Sequence, residues 1–124
     1  MSLLGTSQPV RSRVDGATVR QDFTQTIKDK GGDSNAQAAS TEKMTEVILG
    51  CGTHELYQAT NAKRGDRATL PQDVQTAYIV GETVASHDLK AAEVQGNQRQ
   101  RNEQIEASVE ESSEKVKGLF PWNW

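Results

Sequence analysis

Residues 69–94, "TLPQDVQTAYIVGETVASHDLKAAEV", decide the fold. The stretch opens with Thr69, Pro71 and Gln72, which are a candidate N-cap, a proline suited to the first helical turn and a capping-box glutamine. No further proline follows until the end of the chain. The sequence therefore predicts one helix over about 70–117. At about 1.5 Å per residue this helix would be roughly 70 Å long, which is more than a small globular domain needs.

The predicted helix has an apolar face that changes along its length. With residues placed at about 100° intervals, the first half shows an apolar face roughly half a circle wide, which indicates packing against two neighbours. Residues 95–104, "QGNQRQRNEQ", carry no large apolar side chain, and a narrower coiled-coil-like seam that includes Ser112 follows them. We expect the helix to form an oligomer interface through its apolar residues Val74, Tyr78, Ala85, Leu89, Ile105, Val109 and Val116.

The polar stretch 95–104 leaves two interpretations open. In an isolated chain it would fray, because a lone polar helix buries nothing and its nucleation is costly. In a ring or bundle of identical chains it would be helical, with Arg99 and Arg101 meeting Glu103 or Glu106 of a neighbouring chain.

The sequence of the first half of the chain predicts an arm followed by shorter helices. Residues 1–33 are expected to form an extended N-terminal arm with a short helix over 19–29, where apolar residues recur every four positions. A helical domain is expected over 34–117, and its first helix begins at Ser34 or Asn35, both of which are good N-caps.

Glycines divide the start of that domain. The first helix runs to Leu49, where "GCG" at 50–52 breaks or kinks it. Another helix starts at Thr53 and is ended by Gly65. Together the patterns predict an all-α fold, in which a helical hairpin over about 35–94 is combined with the long C-terminal helix described above, an extended N-terminal arm and a short aromatic tail.

The chain closes with "GLFPWNW", residues 118–124, which we call the aromatic segment. It contains both tryptophans and one of the two phenylalanines. Gly118 ends the helix and Pro121 keeps the segment extended. Two alternatives stay open: the segment folds back onto the chain's own core, or it lies at a membrane interface, where tryptophan is favoured. We expect it to bind a partner through its large apolar side chains, Leu119, Phe120, Trp122 and Trp124.

The composition narrows the class of protein. The 124 residues carry a net charge of −3 and are 34% hydrophobic, so the core is small for the length. We expect that the chain stays partly disordered or that other chains complete its core. The charge disfavours nucleic-acid binding, although Arg11, Arg13 and Arg20 could make a local DNA contact. The N-terminus lacks a signal sequence and no apolar run is long enough for a membrane span. We expect a protein that is made in the cytoplasm and built into a virion or other large assembly.

Few residues suggest catalysis. Cys51 and His54 have a C-x-x-H spacing and could form a zinc site with His87 and Asp88 if their helices were antiparallel neighbours, but the second paired motif of structural zinc sites is missing. As nucleophile and base, Cys51 and His54 lack an orienting acid. The simpler interpretation is a buried thiol, a surface histidine and, at Asp88, a hydrogen bond between helices. We predict no catalytic residue, no metal and no cofactor.

These patterns favour a structural or assembly protein without enzymatic activity. Short, polar, single-cysteine chains with arms at both ends are common among small phage virion components (internal, connector or tail) and secretion-apparatus rod subunits. We expect a helical homo-oligomer within a larger protein assembly, with no small-molecule substrate and with nucleic acid and membrane disfavoured as partners. The main alternative is a small helical adaptor or chaperone-like module that docks one partner through the aromatic segment. A small metal-dependent or cysteine enzyme centred on Cys51, His54 and His87 is a third hypothesis.

Overall fold

A computed structural model describes residues 16–119, and within that range it contains helices and no β-strand. The all-α prediction is confirmed. None of the described helices is both long and apolar enough to cross a membrane. The helices are α1 (Gly16–Asp29), α2 (Ser34–Leu49), α3 (Thr53–Ala59), α4 (Gln72–Ala91) and α5 (Gln98–Leu119), with a 3-10 turn at Arg67–Thr69.

The four longer helices, α1, α2, α4 and α5, pack into a bundle. α4 packs against α1 and α5, and α5 also packs extensively against α2. Gly16 lies beside Ile79, and Lys30 Nζ donates to the carbonyl oxygen of Ala92 at 2.7 Å. Because the first residues of α1 lie beside the middle of α4 and the turn after α1 lies at the end of α4, these two helices run in the same direction.

The bundle has two distinct ends. Asn102 Nδ2 donates to Asp33 Oδ1 at 2.9 Å, which places the start of α5 beside the start of α2. We call the end that holds the α1–α2 turn, residues 92–97 and the start of α5 the polar end. The opposite end holds the start of α1, residues 50–71 and the last residues of α5, and we call it the crossover end.

The single long helix predicted over 70–117 is wrong, because the chain breaks at residues 92–97. Ala92 has extended backbone angles, and Gly96 has a φ of 111°, in the left-handed region that favours glycine. A capping box then starts α5: Gln100 N donates to Asn97 Oδ1, and Asn97 N donates to Gln100 Oε1, both at 2.9 Å. Local capping chemistry therefore outweighs helix continuation here.

The break also changes which helices are partners. A hairpin over 35–94 would pair α2 with α4, but α2 packs chiefly against α5. α2 and α4 approach closely at Gly81, where a Cβ would lie 2.9 Å from both Met44 Sδ and Ile48 Cδ1. The six residues between α4 and α5 let α5 turn back along α4, so that α5 covers the side of α2 that a continuous helix would have left open.

The first two helices lie close to their predicted positions. α1 begins at Gly16, ahead of the predicted 19–29 helix, so the part of the N-terminal arm that the structure describes is mostly helical. α2 has the predicted bounds, but its N-cap is Asp33, whose Oδ1 accepts from Ala36 N at 3.0 Å. Gly50 ends α2 with a φ of 78°, so the glycines break the helix rather than bend it.

The crossover between α2 and α4 is less helical than predicted. α3 ends at Ala59 and does not reach Gly65, because Asn61 adopts a left-handed φ of 57°. Thr69 does not cap α4; its Oγ1 donates to the carbonyl oxygen of Asp66 at 2.6 Å, within the 3-10 turn. Pro71 occupies the N-cap position of α4 instead.

One chain completes its own apolar core. The largest fully buried side chains come from all four bundle helices and include Phe23 of α1, Met44 of α2, Leu89 of α4 and Ile105 of α5. The expectation that other chains complete the core is therefore not met. Small side chains packed against large ones, such as Gly81 against Met44, bring the helices close together. A small number of large apolar residues is then enough to fill the core.

Candidate functional site

A buried glutamate joins three elements at the crossover end. Glu82 of α4 is 1% exposed, and its Oε2 accepts from Arg20 Nη1 of α1 at 2.8 Å and from Arg67 Nη1 of the 3-10 turn at 3.0 Å. A buried carboxylate requires this kind of pairing, because losing its hydration costs several kcal/mol. We call Arg20, Arg67 and Glu82 the charged triad.

The triad extends to α2 through polar side chains. Arg20 Nη1 also donates to Thr41 Oγ1 at 3.0 Å. The Arg67 guanidinium lies 3.9 Å from the centre of the Tyr78 ring, a cation–π contact. The Tyr78 hydroxyl lies 2.7 Å from Thr45 Oγ1, and burial raises the pKa of Tyr78. Helices α1, α2 and α4 are thus connected through one polar cluster.

A cavity of about 410 Å³ lies next to the charged triad, all three members of which line it. This volume is within the roughly 300–1,000 Å³ of ligand pockets. Apolar side chains of Ala17, Ala68 and Ile79 form much of its wall, and Asp66 and Gln75 add polar groups. The arrangement combines an apolar space with a few guanidinium, carboxylate and amide groups, which suits a ligand that is largely apolar and planar.

The charges near this cavity are unevenly paired. Asp66 caps the 3-10 turn by accepting from Ala68 N at 3.1 Å. Lys63 and Arg64, just before it, are exposed, and neither has an ion pair with a described residue. Two exposed positive charges therefore precede the lining residue Asp66 in the chain, and the triad itself carries two guanidinium groups against one carboxylate.

The predicted partner-binding residues are described only at Leu119. This side chain is 66% exposed at the end of α5, and it is the exposed large apolar side chain among residues 16–119. Phe120, Trp122 and Trp124 lie outside the described residues. The prediction that the aromatic segment binds a partner thus stays a prediction.

The residues predicted to form the oligomer interface are buried in the core of the chain's own bundle. All seven are at most 4% exposed and belong to the core of the bundle: Val74, Tyr78, Ala85, Leu89, Ile105, Val109 and Val116. The break between α4 and α5 explains this difference, since it allows the two halves of the predicted helix to bury their apolar faces against each other and against α1 and α2. A contact between copies must use other surfaces.

The residues weighed for metal binding or catalysis do not form a site. Within residues 16–119, no group of three His, Cys, Asp or Glu side chains could hold a metal ion. Burial raises the pKa of Cys51, and the nearby Glu55 and Glu42 raise it further, which opposes formation of a thiolate nucleophile. Asp88 instead bonds to α5.

Asp88 confirms the simpler interpretation of a hydrogen bond between helices. Its Oδ2 accepts from Ser112 Oγ and from Lys115 Nζ, each at 2.7 Å. Lys115 is the largest cause, followed by Ser112, of a pKa of Asp88 that is lower than the ordinary value. The interaction ties α4 to α5 and needs no metal to explain it.

The sequence patterns do not predict the charged triad. The sequence feature that could have indicated it is Glu82. Viewed down the helix axis, this carboxylate lies at the edge of the apolar face of α4, on nearly the same side as Leu89. Charged side chains are almost never fully buried unless they are paired, so this position predicts a buried partner. The identity of that partner was not predictable, because Arg67 lies in a crossover turn of unknown course.

Comparison of the chain with protein-family models, with curated proteins and with solved structures gives no match.

Proposed function

We propose that this chain is a non-enzymatic structural or assembly protein, a helical subunit that joins a larger complex through its aromatic segment. The observation that carries the proposal is the exposure of Leu119. The bundle covers its other large apolar side chains among residues 16–119, yet α5 ends on an exposed leucine. The sequence continues from there directly into phenylalanine and two tryptophans, the residue types that most often dominate binding energy at interfaces.

The proposed complex is an assembly of the kind formed by small phage virion components (internal, connector or tail) or by secretion-apparatus rod subunits. A homo-oligomer within that assembly is favoured by the small, self-contained bundle, which can repeat without rearranging its core. The contact between copies involves the aromatic segment and not the apolar faces of α4 and α5, which are buried in the chain itself.

The experiment uses the two tryptophans as built-in reporters. Because Trp122 and Trp124 are the only tryptophans, emission from the unlabelled chain reports on the aromatic segment alone. We expect sedimentation of the full chain over a concentration series to show a discrete oligomer, accompanied by a shift of tryptophan emission to shorter wavelength. Deletion of residues 119–124 should abolish the oligomer and leave the helical circular dichroism signal intact. If the truncated chain assembles normally, the aromatic segment does not anchor the chain in the assembly.

An adaptor or chaperone-like module is the second candidate. One observation favours it: the core is complete in a single chain, so a stable monomer that docks one partner is physically reasonable. Self-association separates the two functions. A full-length chain that remains monomeric at high concentration, with tryptophan emission typical of exposed indole, would support the adaptor and count against the assembly subunit.

A further inference from the structure

The cavity beside the charged triad has the chemistry of an aromatic-binding pocket. Its walls include the apolar side chains of Ala68 and Ile79, and both arginines of the triad line it. Guanidinium groups stack favourably on aromatic rings, and most favourably on indole. Oxygen atoms of Asp66 and Gln75, which also line the cavity, can accept a hydrogen bond from an indole N–H, which is a donor only. An indole ring is smaller than the 410 Å³ of this space.

Charges beside the cavity and beside the aromatic segment are complementary. Lys63 and Arg64 are exposed near the cavity, and neither is paired with a described residue. Glu110, Glu111 and Glu114 are exposed on the last turns of α5, four to eight residues before the aromatic segment, and none of them has an ion pair with a described residue. Lys117, next to the segment, offsets one of these three negative charges. Complementary charges on two patches steer association and fix its register.

The position of the cavity favours a segment from another copy. Ile79 lines the cavity, whereas Asp88 contacts Ser112 and Lys115 of α5. Ile79 and Asp88 are nine positions apart, which is about two and a half helical turns and places them on opposite faces of α4. The chain leaving α5 would have to pass around α4 to enter its own cavity, but a second copy meets no such obstacle.

We propose that the cavity lined by the charged triad receives the aromatic segment of a second copy of this chain. This inference rests on the proposed function, because it names the partner and the pocket of the same segment. The surface that donates the segment and the surface that receives it are different, so the contact is head-to-tail. Repetition of such a contact generates a closed ring or an open helical filament, depending on the rotation between neighbours.

The decisive experiment mixes two variants that each lack one half of the contact. Ala68→Phe fills the cavity from an exposed position and keeps the aromatic segment. The triple variant Phe120→Ser/Trp122→Ser/Trp124→Ser keeps the cavity and contains no tryptophan. Each variant alone should sediment as a monomer. Their mixture should form a 1:1 dimer and nothing larger, and the tryptophan emission, which comes only from the Ala68→Phe chain, should shift to shorter wavelength.

Further variants test whether a loss of assembly in Ala68→Phe comes from misfolding and not from the filled cavity. Ala68→Ser should assemble like the parent chain, and circular dichroism with a urea midpoint should show that Ala68→Phe is folded. If Ala68→Phe does not fold, the pair Lys63→Glu/Arg64→Glu replaces it and should weaken self-association roughly tenfold or more, with recovery when mixed with a Glu111→Lys/Glu114→Lys chain.

The outcomes separate this inference from the proposed function. Loss of assembly in the triple variant but normal assembly in Ala68→Phe would overturn the cavity as the binding site and leave the aromatic segment as the anchor. Monomers whose tryptophan emission is shifted to shorter wavelength at every concentration would show that the segment binds its own chain. This result would overturn the proposal that it binds a second copy. A mixture that fails to associate, from a parent chain that does, also overturns the inference.

Discussion

The two ends of the bundle are closed in different ways. At the polar end, amide and cationic side chains donate to carbonyl oxygens of the turns: Gln104 Nε2 donates to that of Gln95 at 2.7 Å, and Lys30 Nζ donates to that of Ala92 at 2.7 Å. Gln98 Nε2 and Arg101 Nε both donate to the carbonyl oxygen of Gly31, at 2.8 and 3.2 Å. At the crossover end, Glu82 and its arginines lie beside an open cavity, and α5 ends on an exposed leucine.

The difference follows from the connections. The polar end has two short connections, 30–33 and 92–97, whose backbone groups are close enough for neighbouring amide side chains to satisfy them. The crossover end has a long connection, 50–71, which contains α3 and the 3-10 turn, and Arg67 of that turn is paired with the buried carboxylate of Glu82. The hydrogen bonds of the polar end satisfy the groups of its turns, whereas the crossover end has a cavity, exposed cations and an exposed leucine at the end of α5. We therefore expect function to lie at the crossover end.

The largest expected effect comes from removing both cations of the charged triad. In Arg20→Met/Arg67→Met the side chains keep an unbranched apolar stem but lose the guanidinium group, so Glu82, which is 1% exposed, loses both partners. Leaving a buried charge uncompensated should lower the free energy of unfolding by about 3–5 kcal/mol. Urea denaturation followed by circular dichroism measures this loss.

A third substitution makes that experiment specific to charge. Adding Glu82→Met to the double variant replaces the whole triad with apolar side chains of similar volume and should recover most of the lost stability. If the triple variant is no more stable than the double variant, the loss reflects packing of the arginines and not the uncompensated carboxylate.

The second largest effect is expected at the polar end, at Gly32. A Cβ on this residue would lie 2.7 Å from Ile27 Cγ2, 2.8 Å from Ile105 Cδ1 and 3.1 Å from the carbonyl oxygen of Ile27. Because the backbone oxygen cannot move away easily, Gly32→Ala should cost about 1–3 kcal/mol of unfolding free energy. Gly118→Ala is the matched control: it meets nothing within 4 Å in α5 and should be neutral or stabilising by roughly 0.5–1 kcal/mol. Equal stability of the two variants would contradict this packing.

The sequence predicted the positions of the helices better than it predicted which helices pack against each other. The all-α fold and α2 followed from N-caps, glycines and apolar spacing, which act over a few residues. The glycines at 50–52 predicted either a break or a kink, and only the structure shows the break at Gly50. The largest failure originates at Gly96 and Asn97. One glycine is tolerable within a long helix, but a glycine followed by a capping box is also a helix boundary, and the choice between the two depends on tertiary packing.

That single error propagated to the predicted interface. An unbroken helix has to find partners for its apolar face on other chains, whereas a broken one folds back and buries Ile105 against its own bundle. The candidate site was missed for a similar reason. Glu82, Arg20 and Arg67 are separated by many residues in the sequence, and only the path of the crossover brings them together.

The capping box that caused this error gives the third prediction. Asn97→Ala removes the acceptor for Gln100 N and should lower the unfolding free energy by about 1 kcal/mol. Hydrogen exchange should increase at the first turn of α5 more than elsewhere. The control is Arg99→Ala, whose ion pair with Glu103 joins side chains that are 87% and 62% exposed and should contribute little. An Asn97→Ala effect as small as that of the control would mean that packing alone ends α4.

The smallest effect is a pH dependence at the polar end, centred on Asp33. Hydrogen bonds from Ala36 N and, after it, from Asn102 lower the pKa of Asp33 below its ordinary value of 3.8. Since the folded-state pKa is lowered, the contribution to stability is complete above about pH 4. It is lost as the pH falls through the lowered pKa, where the folded chain must also take up the proton.

Asp33→Asn tests this prediction with little disturbance, because asparagine is an equally good N-cap and its side-chain oxygen can accept the same bonds. We expect the unfolding free energy at neutral pH to stay close to that of the parent chain, and its decrease between about pH 4 and pH 2 to become shallower. Asn102→Ala removes the side-chain donor to Asp33 and leaves the backbone donors, so it should give an intermediate slope. An unchanged acid slope in Asp33→Asn would show that other carboxylates govern acid unfolding, and that the negative charge of Asp33 adds little to the hydrogen bonds of the polar end.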